Sequence, residues 1–339
     1  PRNCCEWDSK THTYYINDWE HFRWNVWTDC GFNPIYPQGG TWPFDRAGWC
    51  PGTKVDEYDF ELAGIVQPGD TMLINYGIEQ YSDNGEKDGE FRMSHQLFYY
   101  GPPSFNLDAR IEDIIAPNAK DSYGRVNHIC SNPRIIIRNT GKNTLKTLDI
   151  VYGLKGCDQE YYQWNGQLEF MEQEEVYLPT PSWKGLPDSK TFLVEISSPN
   201  GSTDEYPANN VMTSIVKTPE KLPSKFILHI LSNDFGRAID NSYTITDECG
   251  AILYERAIFE DSTTYNDTIV LVDGCYEFRL IDRMEDCMIR HWWNYYDNPD
   301  EVGINGKIEI HSLEGEVLRP FYYDFGQELL YRFRIGPVE

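Results

Sequence analysis

RIIIRNTGKNTLKTLDIVYGL, residues 134–154, decides the fold class. Two β-branched runs, RIIIRN and TLDIVYGL, flank NTGKN, a cluster of turn residues. In the second run Leu148, Ile150 and Tyr152 recur at every second position, the period of a half-buried strand. The same signature recurs outward in both directions. YYIN, TMLINYGIEQY, FRMSHQLFYY, FLVEISS, KFILHIL, TIVLVDG, YEFRLID and KIEIHSL all read as strands, with PNG, DNG and INGK as turns between them. No long segment carries a 3.6-residue period. EDIIAPNA is too short and contains Pro117. The expected class is all-β, built as several sandwiches.

Two polar, proline-bearing stretches divide the chain: YYGPPSFN (99–106) and KTPEKLPSK (217–225). The expected domains are 1–104, 105–219 and 222–336. Each of the last two has the length of one sandwich domain. The middle piece resembles the immunoglobulin-like modules of bacterial surface proteins, with IRNTGKNTL as its B–C hairpin region and YPANN near its end. The Cys–Trp–Cys set of antibody domains is not reproduced. The last piece resembles a small β-sandwich of secreted Bacteroidetes proteins. Its loop RMEDCMIRHWWNYYDNPDE departs from the Gly-Asp-Gly form of that group. Both resemblances imply spacer roles.

The 339 residues carry 54 acidic and 29 basic side chains, a formal charge of -25. That balance repels phosphate backbones and excludes nucleic acid as a partner. Aromatic residues make up 14% of the chain, too many for disorder and well suited to strands and to surfaces that stack on sugars or peptides. No apolar run has the length of a membrane helix, and no signal peptide is visible. The expectation is a processed product that is secreted or held at the outer cell surface.

Nine cysteines, without paired CxxC and histidine spacing, read as disulfides of an oxidising compartment. Cys130 and Cys157 flank a two-strand unit, which predicts a bridge between them. Cys275 and Cys287 are expected to staple the loop after YEFRLID. The partners of Cys4, Cys5 and Cys249 stay open.

The chemistry concentrates near the start. Cys4-Cys5-Glu6-Trp7 precedes Thr11-His12-Thr13; Cys30 follows, and then Asp45-Arg46-Ala47-Gly48-Trp49-Cys50-Pro51-Gly52. This order of motifs resembles peptide-N-glycosidase F, a family of amidases that remove glycans from asparagine. The resemblance covers residues 1 to about 104. It implies the C-terminal part of the second of two jelly rolls. Glu6 and Arg46 then take catalytic positions, Trp7 and Trp49 line the cleft, and Cys30 pairs with Cys50. The principal catalytic aspartate of the family belongs to the first jelly roll. The expected partner is therefore the missing N-terminal half of the jelly-roll pair, as a separate or adjoining polypeptide, with a glycoprotein or glycan as ligand. Asp8 stands where the family has a second cysteine, which frees Cys4.

From the residues themselves, Glu6 can serve as an acid–base group and Trp49 can offer a flat face to a sugar ring. The same residues can equally do no more than pack a loop. The module therefore reads as a binding or assembly unit of a surface protein, with an active glycan amidase as the alternative. The copper monooxygenases share the double jelly roll. Only His12, with Met93 and His95 in FRMSH, answers to their ligands, so no metal and no cofactor is assigned. SDNGEKDGE (82–90) reads as a solvated hairpin tip, with a faint likeness to a calcium loop. Asp-Ser/Thr motifs of the Bacteroidetes O-glycosylation type occur at Thr71, Ser262 and Thr268.

Overall fold

Alternation becomes strand wherever every second side chain finds a common core. The computed structural model describes residues 6–38, 42, 44–62, 64–67, 69–81, 91–98, 100–183 and 190–336, the side chain of Trp293 excepted. Among them the regular elements are strands and short 3-10 turns, so the class is all-β. The chain divides into two compact units. The first comprises 1–98 with 284–287 and 324–327, and the second holds the rest.

In the first unit β1 (Lys10–Ile16) lies between β2 (Trp19–Val26) and β3 (Ile74–Ile78), antiparallel to both. The register sets His12 opposite Trp24 and Ile78, and Tyr14 opposite Phe22 and Tyr76, so these rings share one face. Phe60 lies 4.7 Å from Trp24, and Phe91 lies 4.9 Å edge-on to His12. FRMSHQLFYY was expected as a strand, but residues 91–98 take no ladder partner among the described residues. Its alternation serves instead to lay Phe91 and His95 against the rings of β1 and β3.

The first unit also includes two short segments distant in sequence. The buried indole of Trp42 donates to Asp324, whose other oxygen accepts the Gln38 amide at 3.0 Å. Gln327 donates its amide to the Gly31 carbonyl at 2.9 Å. Gly326 sits between them at φ +76°, and an added Cβ would lie 2.3 Å from that carbonyl. Only glycine fits there. The Gly326 amide donates to Cys287 Sγ at 2.9 Å.

The second unit contains two sandwiches. In the first, β4 (Ala109–Ala116), β5 (Arg134–Asn139) and β8 (Gln173–Tyr177) form a sheet in the order β4–β5–β8. β6 (Leu145–Leu154), β7 (Glu160–Leu168), β9 (Thr191–Ser197) and β10 (Val211–Ile215) form another, ordered β10–β9–β6–β7. Ile135 and Ile137 from one sheet, and Leu148, Ile150, Trp164, Phe192 and Val194 from the other, make a single core. The expected hairpin at 139–143 is corrected here. β5 and β6 do not pair, and NTGKN carries the chain from one sheet to the other. Buried Asn139 makes that arch: its amide donates to the Asn143 and Leu168 carbonyls, and its Oδ1 accepts the Gly141 amide.

The second sandwich joins β11 (Glu220–Leu222), β12 (Lys225–Leu231), β13 (Asn241–Asp247), β14 (Ile252–Arg256), β15 (Thr264–Val270), β16 (Gly274–Asp282), β17 (Lys307–His311), β18 (Val317–Pro320) and β19 (Glu328–Ile335). Its sheets run β11–β19–β16–β13–β14 and β15–β12–β17–β18. Phe226, Leu228, Ile230, Phe278, Ile308, Ile310 and Phe333 are buried in it.

Two expected disulfides are corrected. Cys130 pairs with Cys275, across 145 residues and with Cα atoms 6.1 Å apart, so neither Cys157 nor Cys287 has its expected partner. Cys130 and Cys157 attach to β5 and β6, which lie in opposite sheets. Stacked sheets stand about 10 Å apart, beyond the ~5.5 Å that a bridge prefers. Cys275 and Cys287 lie toward opposite ends of β16. Seven extended residues at ~3.3 Å each already carry the chain ~23 Å from Cys275 by Asp282. The Cys130–Cys275 bridge instead ties the two sandwiches together. Arg332 adds a bond to the Val126 carbonyl at 2.7 Å, and Arg125 one to the Glu328 carbonyl at 2.6 Å.

Candidate functional site

The loop carrying Asp45 to Gly52 is fixed before any side chain acts. Thr28 and Arg46 exchange backbone hydrogen bonds of 2.7 and 3.2 Å. Cys30 and Cys50 are bridged, with Cα atoms 5.5 Å apart, and both are buried. The Ala47 amide donates to the Glu6 carbonyl at 3.0 Å, which brings the segment before β1 onto this loop. Gly48, at φ +80°, turns the chain between Arg46 and Trp49.

Arg46 is the centre. It is 5% exposed, and its guanidinium carbon lies 4.7 Å from the Trp7 ring centroid and 5.1 Å from that of Trp49. One Nη donates to the Phe44 carbonyl at 2.6 Å. Nε faces Glu6 Oε1 at 3.7 Å, an ion pair longer than a hydrogen bond. Burial lowers the Arg46 pKa, and the carboxylates of Glu6 and Asp45 act against that shift. Arg46 still stays charged at any working pH. Glu6 differs from it: its side chain is 44% exposed. The geometry is a cation clasped between two indoles, with one carboxylate held beside it and open to solvent. Such a carboxylate can accept hydrogen bonds from a ligand or take up a proton.

Residues 1–98 match the family described as peptide-N-glycosidase F, C terminal. Residues 1–98 form a peptide-N-glycosidase F-like C-terminal module. A relative, the peptide-N(4)-(N-acetyl-beta-D-glucosaminyl)asparagine amidase F of Elizabethkingia miricola, is 35% identical over 96 residues, which is 26% of this chain and 26% of the relative. The chain thus spans about a quarter of the length of that relative.

Within the peptide-N-glycosidase F-like module, Glu6, Trp7, Arg46 and Trp49 come together around one guanidinium. Trp42 stands apart, buried against Asp324. Asp8 forms an ion pair with Lys10 at 2.8 Å, and its hydrogen bond raises the lysine's pKa. Cys4, Cys5 and the 82–90 segment lie outside the described residues. His12 Nδ1 bonds the Tyr76 hydroxyl and His95 Nδ1 bonds the Tyr14 hydroxyl, while Met93 is exposed. Burial lowers the pKa of His12 and pushes that of Tyr76 up to about 12. These groups belong to the aromatic face of the sheet.

Among the described residues one carboxylate set converges that the sequence does not announce. Oxygens of Asp29, Asp45 and Glu285 lie within 4.8 Å of one another. Oxygen donors of this kind suit a hard cation, but three are fewer than the six to eight that calcium takes. Asp29 and Asp45 are also engaged with the Gly31 and Cys30 amides. Glu285 arrives from 240 positions beyond Asp45, a contact without local pattern. Thr71, Ser262 and Thr268 are exposed.

Proposed function

We propose that this chain is part of a secreted or cell-surface multidomain protein of a Bacteroidetes-type bacterium. In this reading its peptide-N-glycosidase F-like module recognises glycan on N-glycoproteins, and the sandwiches of the second unit act as a tied spacer. The observation that carries it is the contrast at the clasp: Arg46 is sealed between two indoles while Glu6 beside it stays half open. The bridges at Cys30–Cys50 and Cys130–Cys275 favour an oxidising compartment.

Binding is favoured over complete catalysis because, among the described residues, Glu6 is the carboxylate seen in an ion pair with Arg46. Amide hydrolysis needs one group to activate water and another to assist the leaving nitrogen. Asp45, whose charge also acts on Arg46, already accepts the Cys30 amide at 2.9 Å and lies within 4.8 Å of Asp29 and Glu285. The second reading is an asparagine–glycan amidase, the activity named for the relative, with a further carboxylate supplied by polypeptide outside this chain. Retention of Glu6, Arg46 and Trp49 in one cluster supports it. Exposed Leu73, Leu97 and Phe98 in the first unit offer apolar surface for such a partner, the other part of the jelly-roll pair.

The test uses the whole chain and a denatured N-glycoprotein. Binding without glycan release, lost when the glycoprotein is first stripped of its glycans, supports the module as a binder. Glycan release abolished by Glu6→Gln supports the amidase. No binding and no release would overturn both.

A further inference from the structure

We propose that the loop between β16 and β17, residues 290–302, is a second carbohydrate-binding site, formed by Trp292, Tyr295 and Tyr296, for uncharged oligosaccharides. It lies in the second unit and does not rest on the reading of the peptide-N-glycosidase F-like module.

The loop is built to hold rings out in water. Trp292–Tyr295 is a 3-10 turn. In such a turn residues i and i+3 stand on the same side, so Trp292 and Tyr295 are placed ~6 Å apart along its axis. Tyr296 follows, its ring 5.2 Å from that of Tyr295 and at 85° to it. Exposure is 53% for Trp292, 65% for Tyr295 and 90% for Tyr296. Three large adjacent rings left in water are uncommon without a binding role.

The backbone beneath them is tied. His291 donates its amide to the Val302 carbonyl at 2.8 Å, which closes the base of the loop. Asn294 donates to the His291 carbonyl, Asn298 to Asn294, and Glu301 to Asn298. The Arg290 amide is held by the Asn305 side chain at 2.8 Å, and the Asn294 side chain reaches the Glu301 carbonyl at 3.2 Å. The rings are therefore presented on an ordered frame, which lowers the entropic cost of binding.

The polar rim selects the occupant. Asp297, Asn298, Asp300 and Glu301 are exposed, and among the described residues none of their side chains is engaged in an ion pair or hydrogen bond. Carboxylates and amides beside solvent-exposed rings match a pyranose, which offers C–H groups on one face and hydroxyl donors around its edge. An anionic ligand or a phosphate surface would meet three carboxylates, with Arg290 as the one fixed cation in the loop. Inserting the rings into a bilayer would drag the same carboxylates out of water.

Isothermal titration of the whole chain against chitotriose, mannotriose and cellotriose is the test. Binding of at least one is expected, weakened tenfold or more in Trp292→Ala and in Tyr295→Ala and largely retained in Trp292→Phe. Trp19→Ala, at a more exposed tryptophan of the first unit, should leave it unchanged. Near-ultraviolet circular dichroism checks that the variants fold. No binding of any of the three sugars overturns the proposal. So does binding that the loop variants leave intact, or ring-dependent binding to phosphatidylcholine vesicles. Loss through Trp49→Ala with the loop variants unaffected would assign the sugar to the first unit and overturn the loop site alone.

Discussion

Replacing Arg46 by lysine keeps the charge and removes the plane. Lysine cannot lie flat between Trp7 and Trp49, whose centroids stand 4.7 and 5.1 Å from the guanidinium carbon. Each stacked face contributes about 0.5–2 kcal/mol, more when desolvated as here. An ammonium can still reach the Phe44 carbonyl, so part of the charged hydrogen bond survives. The expected net loss is ~2 kcal/mol, about 30-fold in local stability. Glu6→Gln should act differently. It removes an ion pair whose atoms are 3.7 Å apart and whose carboxylate is 44% exposed, and such pairs are worth roughly 0–1 kcal/mol. The reporter is the Ala47 amide, bonded to the Glu6 carbonyl across the clasp. Hydrogen exchange followed by mass spectrometry should show its protection falling about 30-fold in Arg46→Lys and less than about 5-fold in Glu6→Gln. If Glu6→Gln costs as much protection as Arg46→Lys, the ion pair holds the site. Glu6 would then be a structural partner with nothing left for a ligand.

Three further outcomes follow from the geometry. Non-reducing peptide mapping should recover Cys30–Cys50 and Cys130–Cys275 as linked pairs, with Cys249 alkylated in the native state and buried Cys287 protected. Cys130→Ala with Cys275→Ala should destabilise the second unit by up to ~5 kcal/mol in urea, the chain-entropy value for a loop of that length, and a loss below about 1 kcal/mol would mean the paired sandwiches hold without the bridge. Burial, joined at Tyr123 by its bond to Asp113, raises the pKa of Tyr76, Tyr123 and Tyr152 to about 12. Their contribution to stability is complete below pH ~10 and is lost as pH rises from there through the folded values near 12, so absorbance titration at 295 nm should show phenols ionising late and unfolding setting in over that range.

Strands with buried alternate residues were legible because the period is local. Leu148, Ile150 and Tyr152 announce β6, and Phe226, Leu228 and Ile230 announce β12. Partners were not legible. The turn at 139–143 has the composition of a hairpin, and nothing in NTGKN states that buried Asn139 will satisfy carbonyls at 143 and 168 and send the chain to the other sheet. The error in pairing Cys130 with Cys157 is the same error, since it assumed adjacent strands. FRMSHQLF alternates like a strand yet takes no ladder partner among the described residues, because alternation reports which side chains pack and not whether the backbone is paired. Asp324 and Gly326, which complete the surroundings of Trp42, come from the far end of the sequence, where no motif marks them.

The site divides along the same line. Asp45 to Gly52 reads as one block because its geometry is local. Across only two residues the Arg46 guanidinium comes within 5.1 Å of the Trp49 ring centroid, and the chain turns between them through a positive φ. Gly48 supplies it, at +80°, with its amide returned to the Arg46 carbonyl at 3.0 Å. A Cβ there would also press on Val26 at 3.2 Å. Cys50 then pins the turn to Cys30. Within the block Gly48 bonds back to Arg46, while Asp45, Ala47 and Cys50 tie it to Cys30 and Glu6. Glu6 enters by a backbone bond from Ala47, and that contact ignores which side chain position 6 carries. The scaffold of the clasp would therefore stand with Gln, Ser or Ala at position 6. A carboxylate half open to solvent, at a position whose backbone alone serves the fold, is where a requirement imposed by a ligand differs from one imposed by packing.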